Sequence, residues 1–511
     1  MLQVYKNSTR LCGRGSFFRI PTRQFTNSCF RQNKNEQSKP DKSQEYGNFS
    51  KQEYENAKAI LSEQITRLES EIKGETNIRS KIGTIPQFPS PSTSASHRVD
   101  NLTDFFAQTI QLTGPIPLSA YMRQCLTHPE MGYYTTRDPL SLRDGDFITS
   151  PEISSVFGEM VGIWYFTIWQ SQGFPETIRF IEFGPGRGTL MYDLVKSFNK
   201  FVKKLGKKVN IEVLMIEASD VLRREQWKLL CDPEHEFKTT EEGYNTSTTK
   251  WGDSIKWVNT EKDIVNSDDI ANYIIAHEFF DALPIKSFIK TEAGWRELMV
   301  EHTPTVTNTQ PKLETSEEVV EDELLQTEFH LTTSPKETPS SMIPTLSPRY
   351  RDLPQGSRIE FCPDAELYLL KMIQLLKSNL GAVLIMDYGV VNSIPENSLR
   401  GIYKHKFVSP FIKPGEVDLS IDVDFDNLIN IAQQIKQGNV INYGPVEQGD
   451  WLHNIGVGYR IDQLIKQNES NPEVQDKIYG AYKRLTDKDQ MGGIYKFLTF
   501  MPKGSDKPIG F

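Results

Sequence analysis

Cysteine is scarce in this chain. Its five residues, Cys12, Cys29, Cys125, Cys231 and Cys362, lie far apart with no C-x-x-C pair, which argues against a disulfide scaffold and a structural zinc site and fits a reducing interior compartment. Long apolar runs are missing as well. The densest, Val161 to Trp169, covers nine residues, about half of the ~18 that a membrane-spanning helix needs, so no membrane span is expected. A basic surplus is also absent. The net charge of -9 excludes a general nucleic-acid binder, which would carry a basic face. One stretch lacks acids altogether: the first 35 residues hold seven Lys or Arg and no Asp or Glu, the composition of a mitochondrial transit peptide. Arg23-Gln24-Phe25-Thr26 resembles a processing site for the matrix. No continuous apolar core follows the basic residues, which argues against a secretory signal. The expectation is a transit peptide over 1–35 and a mature protein in the mitochondrial matrix.

What the chain does have is concentrated between Thr177 and Thr189, TIRFIEFGPGRGT. Ile178, Phe180, Ile181 and Phe183 suit a strand buried on both faces, and Gly184, Gly186 and Gly188 then strip the following turn of Cβ atoms, so that something can approach the backbone closely. A dinucleotide fingerprint spaces its glycines G-x-G-x-x-G and lays pyrophosphate on the helix N-terminus. Here the third glycine falls one residue early and Glu182 stands two residues ahead of the turn. A carboxylate there repels phosphate and suits a cation, which favours S-adenosylmethionine, with its ammonium and sulfonium, as cofactor. A plain strand-to-helix connection is the alternative. The next buried-type run, Asn210 to Ile216, ends at Glu217, 35 residues after Glu182, where such folds place an acid for ribose hydroxyls. Glu217 could equally be an acid at a helix start near Ser219. The expected cofactor site is Glu182, the backbone of Gly184, Pro185, Gly186 and Gly188, and Glu217.

Apolar periodicity at Ala57, Leu61, Ile65, Leu68 and Ile72 predicts a peripheral helix over Tyr54 to Lys73, followed by a Pro/Ser-rich linker at Gly83 to His97. The segment 36–100 is therefore a helix plus linker, and 101–511 the main domain. Ser150, Pro151 and Glu152 carry helix-start chemistry ahead of an apolar helix through Trp169. Further strands are expected at Ile255–Val258, Tyr273–Ala276, Lys286–Lys290, Arg296–Val300, Arg358–Phe361 and Ala382–Met386, with a helix at Ala365–Lys377. Between Thr303 and Gly356 lies a Thr/Pro/Glu-rich insertion with one candidate strand at Glu328–Leu331, expected to be mostly flexible and to cost little stability if removed. Strands alternating with helices imply an α/β fold with a doubly wound, mainly parallel sheet.

The strings GDFITSPEISSVFGEMVGIW, IEFGPGRGTLMYDLV, AHEFFDALPIKSF, GWRE, CPDA, MDYG and LSIDVDF occur in an order that resembles the MidA family, from about Asp104 to Phe500. The resemblance implies a class I, Rossmann-like methyltransferase of mitochondria, a respiratory complex I assembly factor, and symmetric dimethylation of an arginine in a matrix-arm subunit. The residues are compatible with that. Ligands of doubly wound sheets sit at the carboxyl ends of the strands, where His277, Glu278 and Asp281 follow the fourth strand. If HEFFDAL begins a helix, Glu278 and Asp281 share one face, and two carboxylates could grip a guanidinium by two-pronged hydrogen bonds. Structural roles, Asp281 as a turn cap and Glu278 as a support for the glycine loop, are the alternative. Asp387 closes strand five at the same rim. Asp422, Asp424 and Asp426 lack the glycine and terminal acid of a calcium loop, so Asp424 reads as a helix cap. His405 and His453 have no metal-ligand spacing and read as structural histidines. No acid for the adenine amino group is evident at Asn259-Thr260. Two functions stay open: a protein arginine methyltransferase, or a non-catalytic assembly factor that retains the fold.

Overall fold

A computed structural model describes residues 99–136, 149–267, 269–304, 327–376, 380–435 and 440–511. The helix expected over Tyr54 to Lys73, the linker at Gly83–His97 and the basic first 35 residues lie outside this set, as does most of GDFIT. The elements that position the site are α1 (Ser155–Ser171), β1 (Thr177–Phe183), α2 (Thr189–Leu205), β2 (Asn210–Ile216), α3 (Asp220–Leu230), β3 (Ser254–Val258), β4 (Ala271–His277), β5 (Ala382–Val390), α4 (Phe425–Gln434) and β6 (Tyr495–Pro502).

Strands β5, β4, β1, β2 and β3 lie side by side in that order and all run parallel. Antiparallel strands finish the ten-stranded sheet at both edges: β6 and then 440–447 beyond β5, and 245–248 and 238–239 beyond β3. Strand order therefore reverses between β1 and β4, where the register pairs Phe183 with Ala276. In such sheets this is the crevice that takes the ligand.

Each central strand is apolar on both faces because both are covered. Along β1, Ile178 and Phe180 join the core under α1 and α2, while Ile181 and Phe183 face Leu369, Phe425 and Leu428 on the other side. Two charged residues interrupt this run: Arg179, which pairs with Glu212 at 2.8 Å, and Glu182. The latter is 2% exposed, on the same face as Ile178 and Phe180 by strand alternation. The apolar helix α1 sinks Trp164 and Trp169 into that first core.

Three local expectations need correction. Ser150 is not the cap of α1. A short turn at Ser150–Ile153, with Pro151 in its first turn, ends at the extended Ser154, whose side chain accepts from the Val156 N–H. Ser150 instead donates to Gln448 Oε1 at 3.3 Å. The segment HEFFDAL does not start a helix; residues 278–285 form bends and a turn before the strand at 286–291. Finally, residues 327–356 belong to the fold. Phe329–Thr333 pairs antiparallel with 294–302, Phe329 and Tyr350 are buried, and Arg349 grips Asp424 with both nitrogens at 2.5 and 2.9 Å. Few apolar residues lie there, but these two fill core positions, so removing 303–356 would not be mild. The strands at 286–291, 294–302, 329–333, 358–361 and 116–117 make a second sheet, and 400–403, 406–408 and 418–420 a third, which walls one side of the crevice.

Candidate functional site

A cavity of about 1140 Å³ opens at the carboxyl ends of β1, β2, β4 and β5, larger than most single-ligand sites. One half is built from the glycine turn. Gly184 and Gly186 have φ of 63° and 52°, left-handed conformations that a residue with a Cβ adopts only at a cost of roughly 1–2 kcal/mol. A Cβ on Gly184 would also come to 3.1 Å from the Phe279 ring. Gln226, fully buried on α3, ties this half together. Its amide nitrogen donates to the Gly186 carbonyl at 2.6 Å and to Glu217 at 3.4 Å, while its carbonyl accepts from the Trp257 indole at 2.8 Å. Arg223, one turn earlier, donates to the Glu217 carbonyl and to Asn259. The segment around Glu217 is thus fixed from below, and its carboxylate accepts from the Ser219 N–H at 2.7 Å. Sequence reasoning missed Gln226 and Arg223; the only signal was their shared face on an amphipathic helix.

The donor set fits a cationic, hydroxyl-bearing nucleoside. Glu182 Oε2 is buried without a hydrogen-bond partner among the described residues and borders the cavity. Burial pushes its carboxyl up to about 8 and that of Glu217 up to about 7. An ammonium or sulfonium beside Glu182 would offset that cost. Glu261 borders the cavity one residue beyond Asn259-Thr260, in a short turn capped reciprocally by Thr260 and Asp263. It is an acid near the expected adenine position, just past where the sequence reading stopped. Thr189, the first residue of α2, donates to Glu152 at 2.6 Å, so the 150–153 turn closes over the glycine loop.

The other half is acidic at its floor. Glu278 follows β4 with φ of 47°, a strained position for a non-glycine residue that often marks function. Its N–H donates to the Met386 carbonyl of β5 at 3.0 Å. The Asp387 carboxylate accepts the N–H groups of Phe280 and Asp281 at 3.0 and 3.4 Å. These bonds replace helical ones and explain why HEFFDAL stays a turn. Asp387 lies within β5, which continues to Val390, and is fully buried; it organises the loop from behind.

Glu278 Oε1 accepts from the Tyr495 hydroxyl at 2.9 Å. Asp281 Oδ2 accepts from the Tyr388 hydroxyl and from Ser420 at 3.2 Å, leaving Oδ1 without a partner among the described residues. Burial, then the neighbouring Asp281, lifts Glu278 to about 8. Burial raises Asp281 as well, and burial followed by Asp281 and Glu278 raises Asp387 well above the usual range. His277 is driven the other way, to about 3, by burial, so its ring is neutral. Its Nε2 lies 3.6 Å from Glu278 Oε1. The Glu278 side chain keeps 17% exposure against 8% for His277, making the carboxylate the more accessible of the two. Tyr388 and Tyr495 lie on β5 and β6, more than a hundred residues from their partners, and no local pattern announced them.

The remaining candidates separate. Asp424 caps α4 through the Asn427 N–H at 2.9 Å, as its position predicts. His453 meets the Tyr482 hydroxyl at 2.8 Å. His405 is not a packed structural histidine; it is exposed, with φ of 63°, on the 403–406 turn at the cavity rim.

One measurement follows from the buried acids. The folded carboxyls of Glu182 and Glu217 titrate above their ordinary value of 4.5, so the folded ligand-free protein binds more protons than the unfolded chain. Their contribution to stability is present below about pH 4.5 and is lost as pH rises toward about 8. A cationic ligand beside Glu182 cancels that loss. S-adenosylmethionine should therefore raise the melting temperature more at about pH 8.5 than at about pH 6, and Glu182→Gln should flatten the difference. Equal shifts at both pH values in scanning fluorimetry would contradict the assignment of Glu182.

Comparison with known proteins agrees with this geometry. A family described as S-adenosyl-L-methionine-dependent methyltransferases matches residues 160–444. The chain is 34% identical over 421 residues to the Drosophila melanogaster protein named protein arginine methyltransferase NDUFAF7 homolog, mitochondrial, covering 81% of this chain and 88% of that one. It is 32% identical over 418 residues to the Homo sapiens protein arginine methyltransferase NDUFAF7, mitochondrial, covering 81% and 86%. A Burkholderia thailandensis protein solved with S-adenosyl-homocysteine shares the fold, with a TM-score of 0.58 at 20% identity over 80% of this chain and 93% of that one.

Proposed function

The chain belongs to the family of S-adenosyl-L-methionine-dependent methyltransferases, and from that premise we propose that it methylates arginine nitrogens of a protein in the mitochondrial matrix, a respiratory complex I subunit during assembly. The observation that carries the arginine assignment is the pair of carboxylates on the cavity floor beside the glycine turn, the buried Asp281 and the partly exposed Glu278. When bound, the cofactor supplies an electrophilic methyl group on a sulfonium. Glu182 would hold its ammonium, the Gly184–Gly188 backbone would admit its methionine portion, Glu217 would take the ribose hydroxyls, and Glu261 would hold the adenine amino group.

The acceptor guanidinium is planar and stays protonated in water, so the pocket must orient it and exclude water. Glu278, held by Tyr495, and Asp281, held by Tyr388 and Ser420, present fixed acceptors for such an ion. Methylation of a guanidinium nitrogen releases one proton. Glu278, ionised once a guanidinium lies against it, is placed to receive it, whereas His277 at about 3 is a poor base and serves as a neutral wall beside Glu278. The mitochondrial names of the relatives and the acid-free basic start support the matrix location, and the resemblance to the MidA family supports complex I as the target.

Mass spectrometry of complex I subunits from wild-type cells, deletion cells and deletion cells expressing a protein without residues 1–35 tests this reading. Dimethylarginine at one or a few sites should be present in the first and absent from the other two. Unchanged arginine methylation in the deletion cells would favour instead a non-catalytic assembly factor that retains the fold.

A further inference from the structure

Around the acidic floor, the cavity's outer rim has a different character. Two short strips border the acceptor half. One is the 403–408 hairpin, where Lys406 and Phe407 follow a turn whose Lys404 and His405 both adopt left-handed φ, 50° and 63°. The other is the segment leading into β6, with Ile494. Phe407 is 53% exposed and Ile494 55%, so each strip offers an uncovered apolar side chain at the cavity mouth. Lys406 and Arg484, both exposed, also line the cavity. The nearby Asp422 is already engaged by Arg400 at 2.7 Å. An arginine side chain on a folded surface would have to reach carboxylates that are themselves recessed, which favours an extended acceptor segment.

We infer that the acceptor arginine lies in an extended stretch of protein chain flanked by acidic and apolar residues, the acids meeting Lys406 and Arg484 and the apolar side chains resting on Phe407 and Ile494. This rests on the arginine reading of the floor. The floor selects the cation, and the rim selects its context with the opposite sign, so a polybasic segment, although rich in arginine, is disfavoured.

The test uses short peptides with one central arginine, flanked either by glutamate and leucine or by lysine and leucine, with the purified full chain and S-adenosylmethionine. The acidic-flanked peptide should be preferred roughly threefold to tenfold in kcat/KM, the range two partly solvated ion pairs can give, and the preference should shrink in high salt. Fluorescence anisotropy of the labelled peptides gives the same comparison without requiring turnover. In Lys406→Glu/Arg484→Glu the preference should reverse. Equal use and equal binding of the two peptides, or a preference unaltered by the double substitution, overturns the inference while leaving the arginine reading intact. Methylation of neither peptide with preferential binding of the acidic one supports the rim and counts against the arginine reading.

Discussion

Glu278→Gln is expected to lower arginine methylation about thirtyfold to a thousandfold while leaving affinity for S-adenosylmethionine nearly unchanged. The substitution keeps the side chain's shape and an oxygen for the Tyr495 hydroxyl, but removes the negative charge that faces the guanidinium. Losing a charge-assisted, two-pronged contact at the reacting centre costs about 2–4 kcal/mol. Cofactor affinity should hold because its residues follow β1, β2 and β3, whereas Glu278 follows β4. The same substitution separates a functional acid from a structural one. Burial holds the Glu278 carboxyl near 8, so charging it destabilises the ligand-free fold as pH rises from its ordinary value of 4.5 toward 8. A neutral amide avoids that cost. The variant should melt no lower than wild type at about pH 8, and higher if the amide finds a donor contact. A protein that loses activity and stability together would show that Glu278 supports the fold.

Gly186→Val addresses the other half of the cavity. A β-branched residue at φ of 52° is strained, and its side chain would occupy the approach to the backbone that the three glycines keep open. The combined penalty should be about 3 kcal/mol, roughly a hundredfold in cofactor affinity. The strain alone, about 1–2 kcal/mol, is small against a typical folding stability of about 5–15 kcal/mol, so the variant should still fold, as circular dichroism would show. Calorimetry with S-adenosylmethionine and S-adenosylhomocysteine checks the outcome. Unchanged affinity, or wild-type protein preferring NAD, would contradict the placement of the cofactor.

The central sheet was legible because its signals are local. β1 and β2 lie where they were expected, each a mostly apolar run followed by a glycine or an acid. The residues proposed for the cofactor carry a local signal of the same kind, lying within a few positions of those strand ends. Of the residues proposed for the acceptor, only the two acids carry one. Their holders come from β5, β6 and the strand at 418–420, and such pairings depend on sheet order, which no spacing in the chain encodes. The helix expected after His277 failed because Asp387, distant in sequence, captures the N–H groups of Phe280 and Asp281. Within the insertion expected over 303–356, the candidate strand at Glu328–Leu331 is present as Phe329–Thr333, but composition did not announce that the rest of 327–356 packs. Phe329 and Tyr350 are two residues in a polar stretch, yet both are buried; burial of particular side chains, not average hydropathy, decides whether a segment joins the fold.

The most direct measurement places the methyl group itself. Purified protein is incubated with deuteromethyl-labelled S-adenosylmethionine and mitochondrial protein from deletion cells, and tandem mass spectrometry locates the label. The expected result is label on terminal nitrogens of arginine at one or a few sites, dependent on Glu278. Label on any other residue type, or equal arginine labelling by Glu278→Gln, would contradict transfer to a guanidinium held by the Glu278–Asp281 pair.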